Sequence, residues 1–204
     1  MKLVNIKSIK EVVNIKELQT NDLIATALEV AARAHQGQMR KGKKKPYIVH
    51  PVEAALTLKD YDVDDEVIAA TLLHDTLEDT EVTEEELKDK FNQRVVDLVL
   101  GASEELEDRD NRPWEERKKY TIDDLKNASR DIQYISCADK LSNLRSMIRD
   151  YDRLGEELWT RFKRGYKKQS WYYNNLVDSL AALEGVELYE QFKLAVDHLF
   201  DSTS

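Results

Sequence analysis

"LLHDTLEDT", residues 72–80, ends an apolar run with an abrupt polar cluster. Leu72 and Leu73 read as the end of a buried helix, and His74, Asp75, Glu78 and Asp79 then place one imidazole and three carboxylates within six positions. Carboxylates this close repel one another unless water, a cation or a proton compensates them. On a helix His74 and Glu78 are four residues apart, as are Asp75 and Asp79, so the spacing predicts a cluster aimed at one pocket.

The same helical period continues on both sides. Asp64 or Asp65 caps the helix that runs through VIAATLLHD. Before it, Pro51 suits a first helical turn, which puts His50 at an N-cap and Val52 to Leu58 in the helix. From Asp22, DLIATALEVAARAHQ lines up Leu23, Ala27, Val30, Ala31 and Ala34 on one face. Gly37 ends that helix, and the polar loop QMRKGKKK follows. Downstream, Thr83 and Glu86 form a capping box ahead of LKDKF. SEELEDRDNRP reads as an acidic, turn-rich and mobile stretch, and Pro113 then opens WEERKKYTIDDLKNA. An amphipathic helix is expected from Asp131 to Arg149, with two more over roughly Glu156–Leu183 and Val186–Phe200. The first seventeen residues fit a helix or an extended strap equally well. Three prolines and six glycines leave few breaks, and no strand series is apparent. The fold class is therefore all-α. A single domain is expected over 1–204, with core motifs at about 22–150 and C-terminal helices at about 156–200.

A length of 204 residues suits one domain with a sizeable core. A net charge of −9 and a pI near 5.1 argue against general binding to nucleic acid or anionic membranes. Cys137 is the only cysteine, which excludes an intrachain disulfide and a Cys-rich zinc site. The opening MKLVNIKSIKEVVNIKE is broken by charge every few residues and is no signal peptide. No apolar run approaches the ~20 residues of a membrane span. A cytoplasmic protein is expected.

His74-Asp75 joins His50 in "PYIVHP" and Asp139 in "CADKLSNLR" to make a donor set for a divalent ion. Imidazole nitrogen suits transition metals, and two carboxylates bring the charge of a dication to roughly zero while coordination positions stay open. That combination favours Mn²⁺, Fe²⁺ or a similar ion over a closed structural zinc site.

In this order, "RKG…PYIVHP", "LLHDTLEDT" and "ADKLSNLR" resemble the (p)ppGpp hydrolase branch of the HD phosphohydrolase superfamily. That branch includes the hydrolase domain of RelA/SpoT proteins and the stand-alone small alarmone hydrolases. H…HD…D alone is a weak signature; the "ED" after "HDT" and the "N" after "DKL" narrow it. The resemblance spans about half the chain and is to the stand-alone hydrolases.

What it implies is a helical HD-domain bundle that hydrolyses the 3′-pyrophosphate of ppGpp or pppGpp to GDP or GTP and pyrophosphate. His50, His74, Asp75 and Asp139 would be metal ligands, usually for Mn²⁺, with another divalent transition metal as the substitute. Glu78 and Asp79 match the acidic pair that orients or deprotonates the attacking water. Asn143 matches a polar residue near ribose and phosphates, and Arg40, Lys41 and Tyr47 match the segment that holds the guanine nucleotide. The partner is a small nucleotide, with no nucleic acid and no membrane, and a homo-oligomer is compatible with it. The alternatives are an HD phosphohydrolase for another nucleotide and a catalytically silent nucleotide-binding regulator.

Other conspicuous residues have plainer readings. His35 reads as a packed or interfacial histidine, His198 has no supporting motif, and Cys137 reads as a small core residue. Trp159, Trp171, Tyr172 and Tyr173 read as C-terminal packing. The basic run RKGKKK fits a solvated loop as well as a phosphate clamp, and the charges of RFKRG fit a solvated helix face.

Overall fold

Alanines on two facing helices set the centre of the bundle. In the computed structural model, which describes residues 15–104 and 111–200, α1 (Ile15–Ala34) packs on α3 (Asp65–Leu73). Ala27 and Ala31 of α1 and Ala69 and Ala70 of α3 are fully buried; side chains this short let the two backbones approach closely. The first fourteen residues, most of the stretch read as helix or strap, lie outside the described residues, as do 105–110 of the acidic segment.

Gly37 adopts φ +79° after α1, the left-handed conformation that glycine takes at least cost. The lysine-rich loop then closes through an isolated antiparallel bridge between Met39 and Pro46. α2 spans Val49–Leu58 with Ile48 as its N-cap, so His50 lies inside the first turn and is not the cap expected from Pro51. Turn bonds donated by Val49 N to Pro46 O and by His50 N to Tyr47 O start the helix early. Pro51 is tolerated because a first-turn residue has no intrahelical N–H partner to lose.

Asp64 caps α3. α3 stops at Leu73, and the short α4 (Thr76–Asp79) follows. α5 (Glu84–Lys90) starts with the expected Thr83–Glu86 capping box. α6 (Gln93–Ala102), not anticipated as a separate helix, is capped by Asn92. α6 lies so close to the long α8 (Arg130–Leu154) that a Cβ on Gly101 would collide with Ile132. α7 spans Trp114–Leu125.

The expected 156–183 helix is broken. A 3₁₀ segment, Gly155–Arg161, precedes α9 (Gly165–Ser179), and another, Ala181–Leu183, precedes α10 (Glu187–Phe200). Phe162 is extended and Gly165 has φ +64°, which interrupts the helical hydrogen bonding. Trp159 packs against Tyr166 and Phe200, and Tyr173 stacks on Phe200, so these aromatics dock the C-terminal helices as read from sequence. α8 runs through the bundle in contact with α2, α3, α6 and α10. The described elements are helical throughout, with no strand among the described residues.

The lysine-rich loop is anchored. Lys43 Nζ lies 2.8 Å from Asp150 Oδ2 and donates to Ser146 Oγ, while Lys45 Nζ lies 2.7 Å from Glu53. Asp150 is buried and also meets Arg153 and Arg161, so Arg161 of RFKRG is not simply solvated. Burial opposes ionisation of Asp150, but hydrogen bonds from Lys43 and Arg153 prevail and lower its pKa.

Asp150→Asn should therefore cost roughly 2 kcal/mol, below the value for a fully buried pair because Lys43 is partly exposed. That corresponds to a Tm lower by about 4–8 °C. A lowered carboxyl pKa stabilises fully above the unfolded value near 3.8 and loses this effect as pH falls through the folded value. The Tm gap to wild type, measured by thermal melts, should close in acid.

Candidate metal centre and active site

Three separate segments bring their ligand atoms together. His50 comes from α2, His74 from the turn after α3 and Asp139 from the middle of α8; one ligand atom from each lies within 4.8 Å of the others, and all three residues are buried. His50 Nε2 is 3.0 Å from Asp139 Oδ1 and 3.5 Å from Asp75 Oδ2. His74 Nε2 is 3.2 Å from Asp75 Oδ2 and 3.6 Å from Asp139 Oδ1.

The second nitrogen of each ring is already committed. His74 Nδ1 is 2.7 Å from the Thr71 carbonyl oxygen, which can only accept, so the proton sits on Nδ1. Its Nε2 is buried and makes no hydrogen bond, although two carboxylates face it. His50 Nδ1 lies 3.0 Å from Ser142 Oγ. A ring held through its far nitrogen presents the other to an ion in a fixed direction. The two carboxylates supply the charge that a dication balances, so the residues present fit a divalent metal ion.

Electrostatics shows the same demand for positive charge. Burial would push His74 down, but Asp75 and Asp139 outweigh it and hold the imidazole well above its usual range. Asp139 is held well below the carboxylate range against the effect of burial, by the Lys140 ammonium and the two histidines. Asp75 is lowered in the same way, burial being outweighed by His74 and His50. Lys140 Nζ is 2.5 Å from Asp139 Oδ2. The sequence reading did not single out Lys140, although it lies in the quoted "ADKLSNLR".

His74 and Asp75 do not share one continuous helix with Glu78 and Asp79, contrary to the expectation from their spacing. His74 caps α3, Asp75 caps α4, and the continuous helix ends between them. Glu78 and Asp79 nevertheless line the same cavity as His50, His74, Asp75 and Asp139, because His74 and Asp75 keep right-handed helical dihedrals. Glu78 accepts a 2.7 Å hydrogen bond from the Glu104 backbone N–H. The Glu104 carboxylate is in turn held by Arg117 and Lys118. Burial raises the pKa of Glu78, the Glu104 N–H bond opposes it, and the Asp75 and Glu104 carboxylates add to the rise. Neither Glu104 nor Lys118 carries a motif that would have marked it.

The expected nucleotide residues divide between two cavities. Arg40, Tyr47 and Asn143 line the metal cavity and also a neighbouring one, whereas Lys41 lines only the neighbour, beside Lys43, Met147, Arg161 and Phe162. Arg40 Nη2 donates to Asn143 Oδ1 at 2.6 Å, and Asn143 Nδ2 donates to Asp139 Oδ1 at 2.7 Å. Lys41 Nζ sits 5.9 Å from the Phe162 ring centre. The Tyr47 hydroxyl lies 2.8 Å from Asp75 Oδ2 and 3.2 Å from Asp79 Oδ2. Burial, with both carboxylates, raises its pKa far beyond the ordinary tyrosine range, so the phenol keeps its proton. Cys137 is buried in the core with its thiol raised by burial, in accord with a packing role.

The sequence profile of the HD domain family matches residues 27–165. The guanosine-3′,5′-bis(diphosphate) 3′-pyrophosphohydrolase MESH1 of Xenopus tropicalis is 34% identical over 181 residues, covering 87% of this chain and 93% of that protein. A guanosine-3′,5′-bis(diphosphate) 3′-pyrophosphohydrolase of Aquifex aeolicus is 49% identical over 80 residues, 39% of this chain but only 11% of its own length. The solved structure of a metazoan ortholog of SpoT that hydrolyses ppGpp has a TM-score of 0.69 at 24% identity, covering 89% of this chain and 96% of that one. At that identity the likeness is one of fold.

Proposed function

The chain belongs to the HD domain family, and from that we propose that it hydrolyses the 3′-pyrophosphate of ppGpp or pppGpp, yielding GDP or GTP and pyrophosphate. One observation carries this reading most: the cavity that gathers the metal ligands and acids shares Arg40, Tyr47 and Asn143 with a basic cavity beside it. A nucleotide with a diphosphate on each side of its ribose needs cations beyond the metal. In a protein of net charge −9, Arg40, Lys41, Lys43 and Arg161 gather at that second cavity against Asp150.

His50, His74, Asp75 and Asp139 would hold the divalent ion, with Mn²⁺ the preferred one. When bound, the ion supplies Lewis acidity towards the phosphate and lowers the pKa of water. Glu78 takes one proton from the attacking water, and Asp79 orients that water. The water oxygen bonds to the phosphorus next to the ribose, the bond from that phosphorus to O3′ breaks, and O3′ gains a proton. Arg40 and Lys41 bind the remainder of the nucleotide, Arg40 offering the planar fork that suits phosphate or guanine. No helix among the described residues is long and apolar enough to cross a membrane. A silent regulator would have no use for Glu78 and Asp79 beside the ligands.

Incubating the Mn²⁺-loaded protein with a nucleotide panel that includes ppGpp, with products identified by mass spectrometry, tests the reading. GDP and pyrophosphate from ppGpp are expected. Turnover of another nucleotide with ppGpp left intact would replace this reading with the broader phosphohydrolase.

The basic cavity makes a separate prediction. Arg40→Ala combined with Lys41→Ala should raise KM for ppGpp at least about tenfold, the loss of one or two charged contacts. Metal content and Tm should stay as in wild type, and a small phosphate ester should be turned over as before. Equal losses on both substrates would move these side chains into the catalytic step.

A further inference from the structure

His35, a packing residue by its sequence context, begins a hydrogen-bonded chain that ends on the acidic turn. Its ring is 2% exposed and stacks on Tyr47, with centroids 4.7 Å apart and planes at 27°. Gln38 Nε2 donates to the Asp79 backbone carbonyl at 2.8 Å. A carbonyl can only accept, so the Gln38 amide is fixed with Nε2 towards Asp79 and Oε1 towards His35. His35 Nδ1 is 2.8 Å from that Oε1 and must therefore carry the proton. The stacked Tyr47 supplies a second link, its hydroxyl proton shared between Asp75 and Asp79.

The loop that carries Gln38 is itself held. Gln38 N donates to His35 O, and Tyr47 N donates to Gln38 O. The turn of Gly37 at φ +79° brings Gln38 back towards His35. At the other end, α4 has only four residues, too few to be stable without tertiary support. The chain from α1 thus supports the element that presents Glu78 and Asp79.

We propose that His35 and Gln38 are positioning residues for the acidic pair: by holding the Asp79 main chain, they set where Glu78 and Asp79 stand relative to the metal ligands. This rests on the reading of Glu78 and Asp79 as the groups that serve the water. They act through α4 and touch neither substrate nor ion. A displacement of about 1 Å in reacting groups can cost about 100-fold in rate.

Gln38→Met keeps the length and bulk of the side chain and removes both hydrogen bonds. His35→Phe keeps a ring to stack on Tyr47 and removes the Nδ1–H donor. Each should lower kcat for ppGpp about 10- to 100-fold while KM stays within about twofold, with metal content unchanged and Tm lower by only a few degrees, the cost of the lost hydrogen bonds. Hydrogen exchange of the peptide spanning residues 75–80, followed by mass spectrometry, should become faster in both. The double variant should be no slower than the worse single one, because both substitutions cut the same chain.

Unchanged kcat and exchange in Gln38→Met would overturn the proposal. So would loss of metal, or a larger fall in Tm, in step with activity, or multiplicative losses in the double variant. If wild type leaves ppGpp intact, the substrate reading fails while exchange still decides the tether: faster exchange upholds it, and unchanged exchange overturns it.

Discussion

Asp139→Ala is expected to abolish metal retention and turnover and to lower the thermal midpoint further than chelation does. Asp139 reaches both imidazoles from α8, while His50 and His74 come from elements far away in the chain. An ion at this point ties three segments of the native state together and finds no such arrangement in the unfolded chain. At a thousand times its dissociation constant it would add about 4 kcal/mol, roughly 10 °C in Tm for a chain of this size. EDTA should remove that increment from wild type.

The substitution does more. It leaves the Lys140 ammonium without the carboxylate that holds its pKa well above the ordinary lysine value despite burial. Losing the carboxylate of this pair should cost roughly 2 kcal/mol, below the value for a fully buried pair because Lys140 is as exposed as Lys43, so the variant should melt below EDTA-treated wild type. Metal content by elemental analysis and melts with and without EDTA would show this. A wild-type protein that holds no metal and melts identically in EDTA would remove the metal centre. Metal uptake should also strengthen as pH rises: Asp75 and Asp139, which hold the His74 pKa above its usual range, favour a proton on Nε2 that the ion has to displace.

Glu78→Gln should keep the ion and lose about 10²- to 10⁴-fold in turnover, the usual cost of removing a general base. The amide retains an oxygen for the Glu104 N–H bond, so local geometry should survive. Burial and the Asp75 carboxylate raise the Glu78 pKa above its ordinary 4.5 against the opposing Glu104 N–H bond, so the base form is gained as pH rises through that higher value. At saturating metal, the acidic limb of the wild-type rate profile should therefore be shifted up from that of an ordinary glutamate and vanish in the variant.

The same shift predicts the stability effect. A carboxyl whose folded pKa is raised disfavours the native state once pH passes the unfolded value, because the ionised form is worse accommodated there. Glu78→Gln removes that cost, so its Tm at neutral pH should equal or exceed wild type, a common trade between activity and stability. Wild-type turnover would take Glu78 out of the mechanism. Loss of metal together with activity would make it a ligand.

The amino-acid sequence by itself determined the helical class and the residue types of the candidate site. Few glycines and prolines, the 3.6-residue period and caps such as Thr83 with Glu86 are local properties, and local properties survive being read without coordinates. His50, His74, Asp75 and Asp139 stand out as candidate ligands because metal chemistry restricts ligand types, and the fold brings His50, His74 and Asp139 together. Where helices break was less legible. The stop between Leu73 and Thr76 and the interruption around Gly165 depend on which backbone conformation the neighbours accept.

Only the tertiary structure decided which distant groups meet. Lys43 looks solvated in RKGKKK until α8 brings Asp150 against it, and Lys41 diverges into a second cavity that Arg40 shares with the metal centre. His35 and Gln38 carry no metal-site signature. The bond from Gln38 to Asp79 exists because the end of α1, the loop and α4 converge. A hydrogen bond of about 3 Å between residues far apart in the chain is a consequence of packing, and no spacing along the chain encodes it.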